Sequence, residues 1–161
     1  MTHSGLQLKA ARAIALLGLI AVVACDPGWE YRAPDGIPIA GKPGWFALAG
    51  PDSTALEIFA TDFTIDLSLE LGVTNRASTS LWLSPAALVI LDEAGEPIPV
   101  LELIDTPKAM AEVAPGATYQ LRQVVQIRDA RPKGYRRLRV ELPARRAGPA
   151  FQIAVRLAVV E

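Results

Sequence analysis

The chain has 161 residues, 51% of them hydrophobic and 20% charged, with a formal net charge of -1. That composition is globular rather than disordered, fits one domain of ordinary size, and carries no global charge that would draw the molecule to a polyanion. A single cysteine, Cys25, excludes an internal disulfide framework and a paired-cysteine zinc site.

Residues 1–12 hold His3, Lys9 and Arg12 and no acid, and residues 13–24 are Ala, Ile, Leu, Val and one Gly. A basic start followed by about a dozen apolar residues is the pattern of a secretory signal. The run is too short for a bilayer core of ~30 Å, which takes about 20 helical residues. It ends in "VVAC", residues 22–25. This string resembles the lipobox of bacterial lipoproteins: a branched apolar residue, a small or apolar one, a small one, then cysteine. The resemblance implies a signal peptide over residues 1–24, cleavage between Ala24 and Cys25, and acyl chains on the Cys25 sulfur and on the new amine. Cys25 is then a lipidation site, and the membrane is the first partner. The protein would be held in the cell envelope, outside the cytoplasm, on the inner or the outer membrane. Asp26 resembles the inner-membrane retention signal of enteric lipoproteins. Each buried CH₂ contributes roughly 0.8 kcal/mol, so two or more chains anchor firmly where one would not.

Residues 25–44 follow as an expected tether, with four prolines and four glycines in residues 26–44. Trp29 and Tyr31 within it suit either the headgroup layer or packing on the domain.

The expected domain covers residues 45–161. In residues 63–75, "FTIDLSLELGVTN", Phe63, Ile65, Leu67, Leu69, Leu71 and Val73 alternate with Thr64, Asp66, Ser68, Glu70, Gly72 and Thr74. Period two marks a half-buried strand. Residues 55–59 precede it as a strand; residues 81–83 and 87–91 follow, broken by Pro85. Residues 92–96, "DEAGE", read as a turn, and residues 98–104 as the returning arm of a hairpin. Pro97 and Pro99 cannot donate to a ladder, so that arm starts late or lies at an edge. Residues 107–113 suit one helical turn. Residues 117–127, 135–142 and 151–159 are three more strands, the second with Leu138, Val140 and Leu142 inward against Arg137, Arg139 and Glu141. Seven or eight strands at roughly ten-residue spacing read as an immunoglobulin-like antiparallel β-sandwich. The strings "VTNRAST" and "LSPAALVILDEAGEPI" resemble small bacterial envelope domains of that type.

Chemistry is thinly represented. His3 leaves with the signal and Cys25 is acylated, so no Ser/His/Asp, Cys/His or histidine–metal site is expected, and no phosphate loop or dinucleotide fingerprint occurs. Asp62, Asp66 and Glu70 read as the wet face of one strand. No cofactor is expected, and the domain is expected to bind or support rather than catalyse. Charge, however, is uneven. Residues 26–112 hold fourteen acids and four bases; residues 122–146 hold nine bases and two acids. Arg136, Arg137, Arg139, Arg145 and Arg146 are candidates for contact with anionic lipid, a surface glycan or an acidic envelope protein. The other reading pairs these arginines with acids of the same sandwich. Nucleic acid is not an expected partner. An apolar pocket between the sheets, taking a small ligand or a lipid, is the alternative function.

Overall fold

A computed structural model describes residues 29–63, 66–98, 100–103, 108–127 and 135–160. The signal segment, "VVAC" and Cys25 lie outside the described residues, as do Arg128, Arg131 and Lys133. In chain order the strands are β1 (Tyr31–Arg32), β2 (Ile37–Pro38), β3 (Phe46–Ala49), β4 (Thr54–Phe63), β5 (Asp66–Asn75), β6 (Leu81–Leu83), β7 (Val89–Leu91), β8 (Val100–Leu103), β9 (Ala111–Val113), β10 (Thr118–Ile127), β11 (Arg137–Arg145) and β12 (Ala150–Val159). A 3-10 turn at Pro85–Ala87 is the only helical element among the described residues. Twelve strands exceed the seven or eight expected, and the surplus lies in pieces of two to four residues that alternation is too short to reveal.

The strands form two antiparallel sheets of six. The first runs β2-β3-β4-β5-β10-β8; the second runs β1-β12-β11-β6-β9, with β7 also paired to β11. Their inner faces make one core. Leu56, Ile58, Leu67, Leu69, Leu71, Val73 and Leu121 of the first sheet meet Leu81, Leu83, Ile90, Val113, Leu138, Val140, Leu142, Ile153, Val155 and Leu157 of the second. Each such side chain contributes about 1.5–3 kcal/mol on burial, which makes this face the main stabilising element. Long-strand alternation emerges as expected: β11 exposes Arg137 and Arg139 and buries Leu138, Val140, Leu142 and Ala144.

Several sequence expectations are corrected. Residues 63–75 are not one strand. Phe63 ends β4 and pairs with Asp66, the first residue of β5, and only residues 64–65 separate the two strands. The buried apolar positions are even-numbered on β4 (Leu56, Ile58, Ala60) and odd-numbered on β5 (Leu67, Leu69, Leu71, Val73). Asp62 accordingly lies on β4, opposite Leu67, and not on a strand with Glu70.

Residues 92–96 do turn: Asp92 Oδ1 accepts the N–H groups of Ala94 and Glu96 at 2.8 and 3.0 Å, and Gly95 takes φ +86°. The returning arm then leaves its expected partner. Ile98 donates to the Ile90 carbonyl and Pro97 bridges Leu91, but β8 pairs with β10 in the opposite sheet. Starting after Pro99 and lying at the sheet edge, β8 does obey the proline rule. Part of the expected helical turn is strand: β9 pairs Val113 with Leu81 and Ala111 with Leu83.

The expected tether is woven into the domain from residue 30. Glu30 bridges Thr61 of the first sheet, while Tyr31 and Arg32 pair with Val159 and Ala158 of the second. Tyr31 and Ala33 are 2% exposed, and β2 extends the first sheet along β3. Trp29 packs against the same core. Pro and Gly content misled here because two-residue strands at sheet edges tolerate both.

Candidate functional site

The five arginines proposed from sequence separate into two places. Arg136 precedes β11 and Arg137 begins it, whereas Arg145 ends it and Arg146 follows; at about 3.4 Å per residue the strand sets these pairs roughly 27 Å apart.

At the far end Arg146 is a clamp. Its side chain is 10% exposed; Nη1 donates to the Thr79 carbonyl and Nη2 to the Asp52 carbonyl, each at 2.8 Å, while Nε pairs with the Asp52 carboxylate. Asp52 and Ser53 have φ of +50° and +56°, a left-handed turn that L-residues adopt at a cost and that the clamp holds. Asn75, fully buried, completes this end. Its Nδ2 donates to the carbonyls of Thr79 (2.8 Å) and Val113 (2.9 Å), and its Oδ1 accepts the Ala77 N–H (3.1 Å). The bond to Val113 ties β5 of one sheet to β9 of the other. Arg145 reaches the Met110 sulfur at 3.5 Å.

The near end is built differently. Register places Arg32 of β1, Ala158 of β12 and Arg137 of β11 in one row across the outer face of the second sheet, and Arg156, Arg139 and Leu91 in the next. Arg32, Arg137, Arg139 and Arg156 are all exposed. Arg139 and Arg156 are directly opposed like charges, which is unfavourable by a few tenths to about 1 kcal/mol. Glu141 offsets this by pairing with Arg139 Nη2 at 2.7 Å. A shallow groove of about 420 Å³ opens at the end of the sheet between Trp29, Arg32, Arg136, Arg137, Ala158 and Val159. No acid lines it. A neighbouring groove of about 600 Å³ shares Arg32, Arg137 and Ala158 and adds Arg139 and Arg156, and Asp35, Asp92 and Glu93 line it as well. Both grooves are on the outside of the sandwich.

Arg145 and Arg146 thus leave the candidate site, and Arg32 and Arg156 join it. Arg156 carried a signal, its place between inward Val155 and Leu157. Arg32 carried none, since β1 is two residues long. Arg122, on the outer face of the first sheet, lies 3.8 Å from Glu70. Lys42 pairs with Glu57 at 2.8 Å and lies 5.3 Å from the centre of the Trp45 ring, itself stacked on Phe59. That face is therefore charge-balanced where the second sheet's end is basic. Among the described residues no group of three or more His, Cys, Asp or Glu side chains is placed to hold a metal ion, and no helix is long and apolar enough to cross a membrane.

No protein-family model matches the sequence, and no curated protein matches it. Among solved structures the chain is similar to a FixG-related protein from Vibrio parahaemolyticus, at 10% identity and a TM-score of 0.42, over 66% of this chain and 96% of that one.

Proposed function

We propose that this chain is a lipid-anchored protein of the bacterial cell envelope, whose β-sandwich, of the immunoglobulin-like class, serves as a non-enzymatic binding domain outside the cytoplasm. Acyl chains on Cys25 hold it to the membrane, and the domain presents its exposed outer surface to an envelope component. The observation that carries this reading is the basic-then-apolar segment ending in "VVAC" immediately ahead of a two-sheet domain. The exposed arginines on the second sheet support a binding role, because charged side chains left on a sheet surface are available for recognition.

The test is mass spectrometry of the protein purified from membranes of its native host. The expected product begins at Cys25 and carries acyl mass. An unmodified Cys25 within an uncleaved chain overturns the reading.

A further inference from the structure

The end of the second sheet that holds Arg32, Arg136 and Arg137 is also the end at which the chain enters the domain. Trp29 lies in the wall of that groove, and the Trp29 carbonyl accepts the Thr61 hydroxyl at 3.4 Å. Only residues 26–28 stand between Cys25 and Trp29. Four residue steps reach at most about 14 Å even when fully extended. The headgroup layer is about 5–8 Å thick per leaflet, and the Debye length at physiological salt is about 8 Å. A leash this short keeps the groove within electrostatic range of the lipid surface whatever path the leash takes.

We propose that this groove end, with Arg32 and Arg137 at its centre and Arg156 behind them, is a membrane-facing surface that takes the phosphate groups of anionic phospholipids. The inference rests on the reading of Cys25 as the anchor point. Charge complementarity favours it: exposed Arg32 and Arg137 line the groove, no acid is among its described lining residues, and arginine's planar fork matches phosphate oxygens in pairs. Trp29 adds an aromatic ring of the kind enriched at the membrane–water boundary. Asp35, Asp92 and Glu93 line the neighbouring groove together with Arg139 and Arg156. The outer face of the first sheet, with its Lys42–Glu57 and Arg122–Glu70 pairs, is turned away.

The experiment uses the full, natively processed protein in vesicles containing a headgroup-linked fluorescence quencher. One dye is placed through Ala154→Cys on the outer face of the second sheet, another through Gln120→Cys on the outer face of the first; both positions are exposed. In vesicles rich in phosphatidylglycerol at low salt, the dye at 154 is expected to be quenched several-fold more than the dye at 120. The preference should disappear in pure phosphatidylcholine and at about 1 M salt, where the Debye length falls to about 3 Å. Arg32→Glu with Arg137→Glu should weaken the docked population roughly thirtyfold or more, at about fivefold for each basic side chain near the surface. The milder Arg32→Gln with Arg137→Gln should move it in the same direction if charge reversal impairs folding. Arg122→Glu should leave it unchanged within twofold.

Equal quenching of the two dyes in anionic vesicles overturns the inference. So does a preference that survives high salt or both double variants, or one that appears only when an envelope glycan or protein is added. Acylation of Cys25 is read separately by mass, so an acylated protein without preferred orientation rejects the membrane face alone, and an unacylated Cys25 rejects the anchor.

Discussion

The two ends of the sandwich are closed by different chemistry. At one end side chains do the closing: Asn75 links the two sheets through the Val113 carbonyl, and Arg146 binds the Asp52 and Thr79 carbonyls. At the other end closure is mostly backbone: Glu30 bridges Thr61 and accepts from the Val160 N–H, and the Arg136 carbonyl accepts from the Val159 N–H, with the Tyr31 hydroxyl on the Tyr135 carbonyl as the chief side-chain contribution. Arg146 is consumed in holding the fold, whereas Arg32 and Arg137 at the opposite end are exposed on the outer face of their sheet. Identical side chains at the two ends of one strand therefore differ in meaning, Arg146 having the Asp52 and Thr79 carbonyls within reach.

The core beneath the two ends is equally buried, and this sets the largest expected effect. Leu67 lies toward the arginine end and Val73 toward the Asn75 end, each 0% exposed. Leu67→Asp or Val73→Asp should each cost more than about 4 kcal/mol in chemical denaturation, because an unpaired charge enters a dry interface. Ser68→Asp should cost less than about 0.5 kcal/mol, being on the other face of β5. A similar loss from Leu67→Asp and Ser68→Asp would show that the register is wrong.

Next in size is the side-chain closure itself. Asn75→Ala should cost about 2–4 kcal/mol, since it leaves the Val113 carbonyl and the Ala77 N–H without their partner in a buried site. Arg146→Ala should cost about 1–2 kcal/mol by releasing two carbonyls and the turn at Asp52 and Ser53. Thermal melting of the two variants and of the double variant checks this; a strictly additive pair would mean that their shared contact at Thr79 does not couple them.

The smallest effects belong to the arginine end. Arg137→Ala should move stability by less than about 0.5 kcal/mol, as for an exposed position without a holding role. Arg156→Gln should raise stability by a few tenths of a kcal/mol, because it removes the like charge opposite Arg139. A large loss from either would place these arginines with Arg146 as parts of the framework, and the contrast between the ends would fail.

Much of this architecture was legible in the sequence, and the legible part has one physical origin. Alternation reports which face of a strand is dry, and it located β10, β11 and β12 together with the inward residues of β11 and β12. It does not report where along the sheet a residue sits or what it faces across the chain. Arg137 and Arg145 share a parity and a strand, yet one lines a groove and the other meets Met110. The partner that gives Arg146 its role is Asp52, distant in sequence and invisible to any local pattern. The break between β4 and β5 was missed because nothing in the string "FTID", residues 63–66, signals one. Gln123 was missed for the opposite reason: it occupies an inward position on β10, is 2% exposed, and neither end of its amide has a hydrogen-bond partner among the described residues. Its parity is that of buried Leu121, but its polarity argued against an inward place.

The pairing of β1 with β12 has a kinetic consequence. Among the described strands these are the first and the last, and Tyr31 lies opposite Val159. β12 is also interior to its sheet, flanked by β1 and β11. The second sheet therefore cannot close until β12 has been made, because both β1 and β11 pair with it. Contacts so distant in sequence form slowly, since the loop they close must be ordered before they contribute. A chain emerging from its amino terminus holds β1 without its partner strand until β12 has been made.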